Sequence, residues 1–415
     1  MDGGSMTAHT DPITFDAEFV QDLHARYAQL REAGPVHRLV NETGLPIWVV
    51  TRYEDARALL ADPRLGKDAQ TIFRLVMDRF AAVAPETEDG RFAGAGFDMH
   101  MLNMDPPDHT RLRKLVVKAF TARRIESLRP RIEQITDELL TAMAGEAEVD
   151  ALDAFAFPLP IRVICELLGV DESRRDDFRV WTNRLLDDID AEASGQAAGE
   201  MAAYLTELIA AKREHPADDL LTALIEVSED EDRLSETELI SMVFLLLVAG
   251  HETTVNLIGN GVLALLTHPD QFAALRANPD LVDGAVEEML RFDGPLMHTT
   301  FRFTTEPVVV GGTEIPAGEF VWIGLAAVNR DPERFDAADS FDVGRDAQGH
   351  LAFGHGIHFC LGAPLARMEA QIALRGLVSR FPDLALATAP ENLVRRNSSL
   401  IHGLLALPVR PASRS

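Results

Sequence analysis

The chain has 415 residues, 47% of them hydrophobic and 25% charged, which is an ordinary globular composition. Its formal net charge of −27 argues against nucleic acid and anionic membranes as main partners. The two cysteines are consistent with a reducing compartment, so we expect a cytoplasmic protein with no signal peptide and no membrane span.

Helical periodicity covers most of the chain, and strand signals are few. We expect a disordered polar tail over residues 1–15. The stretches on either side of Gly44 predict one hairpin, and residues 306–325 predict another. Since no linker divides the remainder, residues 16–415 are predicted to form a single, mainly α domain, a helical bundle with small antiparallel sheets.

The longest helical signal runs from about Ser235 to Thr267. Ser235 and Glu238 form a capping box, and a His-Pro pair supplies the stop. The middle of this apolar helix reads AGHETT, residues 249–254. A glycine and polar residues are costly in a buried helix unless something binds there. A structural kink is the alternative explanation.

A second unusual stretch, FGHGIHFCLG, spans residues 353–362 and places Cys360 where a loop becomes a helix. The residues alone leave three interpretations open. In the first, Cys360 is a buried structural cysteine, as we expect for Cys165. In the second, it forms a zinc site with the neighbouring histidines. In the third, it is a haem ligand. The glycines allow a tight turn and, at Gly362, the approach of a flat macrocycle, while a helix start favours a thiolate. The histidine and cysteine spacing does not match common zinc patterns.

This loop resembles the haem-binding signature of the cytochrome P-450 superfamily. Three further motifs occur in that family's order: AGHETT, the pair Glu288 and Arg291, and NRDP at residues 329–332. The resemblance covers nearly the whole chain. In detail the chain is similar to soluble actinobacterial members, especially the branch that hydroxylates macrolides and similar natural products.

The resemblance implies a helical bundle around a buried haem b, with Cys360 as the iron ligand. It also implies a set of further cofactor contacts: His109, Arg113, Ala249, Arg302, Phe353, His358 and Gly362. Glu288 and Arg291 would form a structural ion pair bracing the cysteine loop, with Arg334 as its third member.

Glu252 and Thr253 occupy the positions of the family's acid–alcohol pair. The resemblance implies that Thr253 positions a water and that Glu252 connects this water to solvent as a proton relay. The implied activity is insertion of one atom of O2 into a C–H bond of a hydrophobic secondary metabolite such as a macrolide or polyketide, by hydroxylation or epoxidation. Oxidative ring coupling and a non-catalytic recruitment module are the alternatives, and the intact AGHETT motif argues against the second.

Electrons would come from NAD(P)H through a reductase and an acidic ferredoxin. Basic residues are concentrated between positions 109 and 131, and Arg111, Lys114 and Lys118 are the predicted ferredoxin contacts. A solvated helix face is the alternative explanation. We expect a monomer.

The substrate side is less clearly marked. Residues 68–104, irregular in pattern, would form the pocket roof, and residues 187–200 a mobile entry loop. The predicted substrate contacts are Met99, Leu245, Met297, His298, Leu400 and Ile401. His298 departs from the apolar pattern, and three roles stay open for it: bonding the substrate, turning toward a propionate, or reaching the iron.

Overall fold

The computed structural model describes residues 13–83, 97–186, 191–228 and 234–411. Helices dominate, as predicted. In chain order they are α1 Ala17–Gln21, α2 Leu23–Ala33, α3 Tyr53–Leu60, α4 Ala69–Val83, α5 Asp108–Ala119, α6 Ala122–Ser127, α7 Arg129–Met143, α8 Pro158–Leu168, α9 Arg175–Leu186, α10 Ala191–Glu214, α11 Leu220–Ser228, α12 Glu236–Thr267, α13 Pro269–Ala277, α14 Val282–Asp293, α15 Leu325–Val328 and α16 Ala363–Arg380.

Short strands form three small sheets among the described residues. The strands are β1 Ile13–Phe15, β2 Val36–Asn41, β3 Pro46–Val50, β4 Leu65–Gly66, β5 Val149–Asp150, β6 Arg302–Thr304, β7 Val308–Val310, β8 Thr313–Ile315, β9 Phe320–Ile323, β10 Ala385–Leu386 and β11 Pro408–Arg410. The largest sheet has the order β1-β2-β3-β9-β6-β4, and the others are β10-β11-β5 and β7-β8. All neighbours are antiparallel except β1/β2 and β3/β9. The predicted fold class is confirmed.

The N-terminal tail predicted over residues 1–15 is too long, because residues 13–15 form the strand β1. Residues 1–12 lie outside the described residues, but Ile13–Phe15 pairs with β2 in parallel. Phe15 is 3% exposed, and its ring lies 4.9 Å from that of Phe19. Its buried aromatic ring therefore anchors the start of the chain to the largest sheet.

Both predicted hairpins form, but the second is shorter than predicted. In the first, β2 and β3 pair antiparallel around Gly44, whose φ is +82°. In the second, β7 and β8 turn at Gly311 and Gly312, both with positive φ. The following strand, Phe320–Ile323, leaves this hairpin and lies between β3 and β6 in the largest sheet.

The long helix α12 is confirmed and forms the centre of the fold. Ser235 caps it, and Glu238 completes the predicted capping box. It packs against α8, α10, α14 and α16. Among the described residues it is the one helix that is long and apolar enough to cross a membrane, but 67% of its most apolar stretch is buried inside the protein. That burial is typical of a core helix.

Two segments predicted to be irregular are partly helical. In α4, Ile72, Leu75 and Val76 follow the i, i+3, i+4 spacing and pack on the core beside the largest sheet. In α10, alanine-rich sequence of high helix propensity makes residues 191–200 of the predicted entry loop helical. Residues 84–96 of the first segment and 187–190 of the second lie outside the described residues.

Candidate active site

The cysteine loop is closed by backbone hydrogen bonds. Cys360 donates its N–H to the carbonyl oxygen of Phe353 at 2.9 Å, and Gly354 donates to Leu351 at 2.8 Å. Gly354 has a φ of +72°. Gly356 has a φ of +75°, and a Cβ there would lie 2.8 Å from the carbonyl oxygen of Leu60. These glycines allow the tight turn that delivers Cys360 to the start of α16.

A cavity lies between this loop and α12, at the junction of the helical core and the largest sheet. From α12 it is lined by Leu245, Leu246, Ala249, Gly250, Thr253, Thr254 and Leu257. The loop contributes Phe353, His358, Cys360 and Gly362. A Cβ on Gly250 would meet Ile164 of α8 at 3.0 Å, so this glycine permits close helix packing beside the cavity.

One end of the cavity carries a cluster of basic side chains: Lys67, His109, Arg113, Arg302 and His358. Among the described residues, neither ring nitrogen of His109 has a hydrogen-bond partner, and neither has Nε of Arg302, although both side chains are buried. Burial and the neighbouring cations lower the pKa of His358 to about 2. Buried groups without partners are rare in proteins, so this cluster requires an anionic ligand.

Burial raises the pKa of the Cys360 thiol and outweighs the backbone N–H groups of Gly362 and Ala363, which lower it. Arg113 and Arg367 also act to lower this pKa, without reversing the shift. The backbone N–H groups at the helix start therefore favour the thiolate, as expected from the sequence, but they do not outweigh desolvation. A bound metal ion would supply the missing charge, because a coordinating thiol is deprotonated.

The residues present fit haem b. The cation cluster provides donors for its two propionates, and Cys360 provides a soft ligand for iron. A Cβ on Gly362 would lie 3.8 Å from the sulfur, so the glycine leaves space on the cysteine side of the cavity. The apolar wall of α12 encloses the opposite side.

Among the described residues, the zinc interpretation finds no support. His355, His358 and Cys360 do not form a converging ligand group. The described ligand group that does converge, His24, Asp293 and His402, is held by hydrogen bonds of 2.7 Å from each histidine to the carboxylate. Arg395 also bonds this carboxylate, at 3.0 Å, and its positive charge opposes a metal there.

Thr253 and Glu252 lie in different environments on α12. Thr253 lines the cavity, and its hydroxyl donates to the carbonyl oxygen of Ala249 at 2.9 Å. Glu252 is buried and is not part of the cavity wall. Burial alone would raise the pKa of Glu252, but His251 and Arg396 hold it below its usual range. The acid is therefore kept ionised beside the cavity rather than in it.

The pair Glu288 and Arg291 forms as predicted, but its predicted third member is wrong. The carboxylate of Glu288 accepts two hydrogen bonds from Arg291, at 2.7 and 2.8 Å. Arg345, at 3.2 Å, completes the group. Arg334 instead donates to the carbonyl oxygen of Gln348, since its guanidinium stacks on Phe335 and Tyr53.

A second ion pair connects the same helix to the cysteine loop. Glu287 of α14 accepts hydrogen bonds from Arg367 of α16 at 2.6 and 2.8 Å. Its carboxylate also lies 3.1 Å from Nε2 of His350. Glu287 thus contacts one residue before the cysteine loop and one after it. Sequence reasoning identified the neighbouring Glu288 but not Glu287.

Of the six predicted substrate contacts, the structure places only Leu245 on the cavity wall. Met99 packs on the main core, and Met297 is fully buried beside the largest sheet. Leu400 and Ile401 are not part of the cavity wall, although Ile401 pairs with Leu296, which does line it.

The prediction that His298 faces the oxygen site is wrong. Its ring stacks on Trp322 with the centroids 3.7 Å apart and the planes at 10°. Nδ1 lies 2.9 Å from the carbonyl oxygen of Thr299. Burial lowers the pKa of His298 to about 4, so the imidazole is a neutral core side chain at pH 7.

The predicted ferredoxin contacts differ in whether they are exposed or already paired within the protein. Arg111 forms ion pairs with Glu238, the acidic member of the capping box of α12, and with Asp108. This arginine is therefore committed to the fold. Lys114 and Lys118 are exposed on the same helix, α5.

Besides Glu287 and its partners, sequence reasoning missed four residues of the site. Three of them, Lys67, Arg396 and Arg345, act through partners distant in the chain, and no local pattern marks them. The fourth, Met101, lines the cavity and lies in the segment 68–104 that is predicted to form the pocket roof. Only Met101 could therefore have been found from the sequence.

A cysteine that shares a cavity with a long central helix and a cluster of buried cations fits the class of haem-thiolate proteins. The chain matches the family description "Cytochrome P450" over residues 175–402. It is 59% identical to cytochrome P450 107B1 of Saccharopolyspora erythraea, over 97% of this chain and 98% of that one. The chain belongs to the cytochrome P450 family and is an oxidoreductase of the monooxygenase type, using haem b and O2.

Two further relatives are informative. The 6-deoxyerythronolide B hydroxylase of Saccharopolyspora erythraea is 48% identical, over 97% of this chain and 99% of that one. The solved structure of the P450 monooxygenase TamI with tirandamycin C bound is 52% identical, with a TM-score of 0.88. The match covers 96% of this chain and 100% of the TamI chain.

Proposed function

We propose that the protein hydroxylates or epoxidises a hydrophobic secondary metabolite of the macrolide or polyketide class. The observation that carries this proposal is the apolar cavity between α12 and Cys360, whose wall near Thr253 consists of Leu245, Leu246 and Ala249. Relatives named for 6-deoxyerythronolide B and mycinamicin IV support the substrate class.

In the proposed site, Cys360 ligates the haem iron, and the cation cluster holds the propionates through His109, Arg113, Arg302 and His358. Ala249, Phe353 and Gly362 would also contact the haem. These assignments rest on their shared place in the cavity wall and on the unpartnered donors there.

When bound, haem b supplies the activation of O2. The proposed task of Thr253 is to hold a water in the cavity by its hydroxyl oxygen, since its hydrogen is directed to Ala249. Glu252, ionised beside His251 and Arg396, passes protons from solvent toward this water. The apolar wall excludes other water and thereby limits loss of protons and electrons to side reactions.

We propose that an acidic ferredoxin delivers the electrons and docks near Lys114 and Lys118. Both lysines are exposed on α5, the helix whose Arg113 donates to the carbonyl oxygen of Phe359 at 2.7 Å, one residue from Cys360. A positive surface on a chain of net charge −27 would steer an acidic partner to this face. We further propose a cytoplasmic monomer that forms a single domain from the first strand to the C-terminus.

Oxidative ring coupling by the same haem remains a second candidate, because it uses the same cavity and the same ligand. A non-catalytic recruitment module would not need Thr253 in the cavity or an ionised Glu252 beside it. Both features are present, which favours an enzyme.

The proposal is tested by titrating the ferric protein with macrolides, linear polyketides, steroids and fatty acids, and following the spin-state change of the Soret band. Ligands that shift it are then incubated with ferredoxin, reductase and NADPH, and the products are analysed by mass spectrometry. A gain of one oxygen atom on a macrolide or polyketide supports the proposal. Turnover confined to fatty acids or steroids would overturn the substrate class, and loss of two hydrogens would indicate ring coupling.

A further inference from the structure

Lys67 is a buried cation with almost no partner in the part of the chain that the structure describes. Its side chain is 2% exposed and lines the cavity. Its ammonium donates to the hydroxyl oxygen of Thr300 and forms no ion pair with a described carboxylate. A hydroxyl alone does not compensate for the burial of a full charge, so this lysine requires an anion.

The largest sheet places Lys67 next to Arg302. In the antiparallel pair β4/β6, Leu65 lies opposite Thr304 and Gly66 opposite Phe303, and the same register brings Lys67 opposite Arg302. A Cβ at Gly66 would lie 2.6 Å from the ring of Phe303, so the close approach depends on glycine. Two cations thus converge at the same end of the cavity.

The nearest candidate counter-ion is already occupied. Asp105 accepts the backbone N–H of Lys67 at 2.9 and 3.0 Å and that of Asp68 at 3.1 Å. Its carboxylate therefore fixes the backbone of the lysine rather than pairing with the ammonium. Burial and the neighbouring Arg302 lower the pKa of Lys67 well below its usual range, and Asp105 offsets this only in part. An anion at this end of the cavity would restore the charged ammonium.

Haem b carries two propionates, and a propionate is an anion of the kind that Lys67 requires. We propose that Lys67 binds a haem propionate together with Arg302, and that it is a cofactor-anchoring residue beyond the four basic residues that the sequence identified. The inference rests on haem binding and not on the proposed substrate. It assigns Thr300 a supporting role, because its hydroxyl oxygen orients the ammonium toward the cavity.

The test measures haem transfer from the ferric holoenzyme to an excess of apomyoglobin, followed by absorbance, for wild type and Lys67→Met. A charge-assisted hydrogen bond to a buried group predicts transfer faster by on the order of ten- to a hundredfold. Lys67→Arg should restore most of the retention. Arg38→Met, an exposed arginine on β2 away from the cavity, is the control and should leave the transfer rate unchanged.

A second readout separates anchoring from a structural tie between Lys67 and Thr300. Loss of a positive charge beside the haem favours the oxidised state, so the reduction potential of Lys67→Met and of the milder Lys67→Gln should fall, whereas that of Thr300→Val should change less. Unchanged haem transfer, or an unchanged potential in both lysine variants, would overturn the proposal. So would a change confined to substrate affinity, which would mean that Lys67 contacts the substrate instead.

Discussion

Glu252 and Arg396 form an ion pair of 3.3 Å that joins α12 to the C-terminal segment of the chain. The next residue, Thr253, faces the cavity. Because the C-terminal segment also carries Ile401, which pairs with the cavity residue Leu296, the proposed proton relay and one part of the cavity wall share a support. Thr253 and Glu252 are therefore held in fixed positions relative to the cavity.

Thr253→Ala should keep haem and substrate binding but lose most of the product. Without the hydroxyl, the water that delivers protons is no longer held, so electrons from NADPH are diverted to hydrogen peroxide. General acid catalysis contributes roughly 10²–10⁴-fold, so we expect the product rate to fall by about a hundredfold. Measuring product and peroxide per NADPH checks this, with Thr253→Ser as the control that retains a hydroxyl. Unchanged coupling in the alanine variant would refute the role.

The stability of the fold should depend on pH through Glu287. Burial alone would raise the pKa of Glu287, but Arg367 and His350 bring it to about 2. A depressed pKa stabilises the fold at pH values above the unfolded pKa of about 4.5, and this contribution is lost as pH falls toward 2. The shift corresponds to about 3 kcal/mol at neutral pH.

Glu287→Gln should therefore destabilise the protein at pH 7 by about 3 kcal/mol, and the difference from wild type should shrink below pH 4. Urea unfolding at several pH values, followed by tryptophan fluorescence, measures this. Glu126→Gln, in an exposed pair with Arg129, is the control and should show little effect. A difference between Glu287→Gln and wild type that does not vary with pH would contradict the assignment.

Arg291→Met should cost about 3–5 kcal/mol, because it leaves the buried carboxylate of Glu288 with only Arg345 and the backbone N–H of Asp342 among the described residues. Since this group braces the segment before the cysteine loop, we expect purified protein with little haem rather than altered selectivity. The ratio of Soret to protein absorbance and the free energy of unfolding check the prediction. Arg380→Met, a partly exposed arginine of α16, should retain haem, and full haem content in Arg291→Met would contradict the role.

Reduction by ferredoxin should slow as ionic strength rises, and Lys114→Glu with Lys118→Glu should slow it further, by roughly tenfold at low salt. Both lysines are exposed, so the changes should leave the fold intact. Arg38→Glu, exposed on β2, serves as the control for net charge. Stopped-flow reduction measures the effect, and a rate equal in all variants would place the docking surface elsewhere.

Features encoded locally could be predicted from the sequence. The capping box of Ser235 and Glu238, the first hairpin and the position of Cys360 at a helix start depend on residues close in the chain. Features that depend on distant packing could not. Arg345 rather than Arg334 reaches Glu288, and His298 stacks on Trp322, because tertiary packing of the loops decides which side chain arrives.

The sequence likewise does not show which charged residues pair with each other. The basic run between residues 109 and 131 was identified correctly as a local reversal of sign, but the sequence does not show that Arg111 is neutralised by Glu238, 127 positions later. Lys67 is equally inconspicuous in the sequence. It becomes significant only when β4 and β6 bring it beside Arg302.

The most direct test of the central claim, that Cys360 holds a haem in this cavity, is the absorbance spectrum of the purified protein after reduction with dithionite and addition of carbon monoxide. Thiolate ligation predicts a strongly red-shifted Soret band, and Cys360→Ser should abolish it while Cys165→Ser, a buried core position, should not. A band at the position typical of imidazole ligation, or protein without haem, would contradict the account.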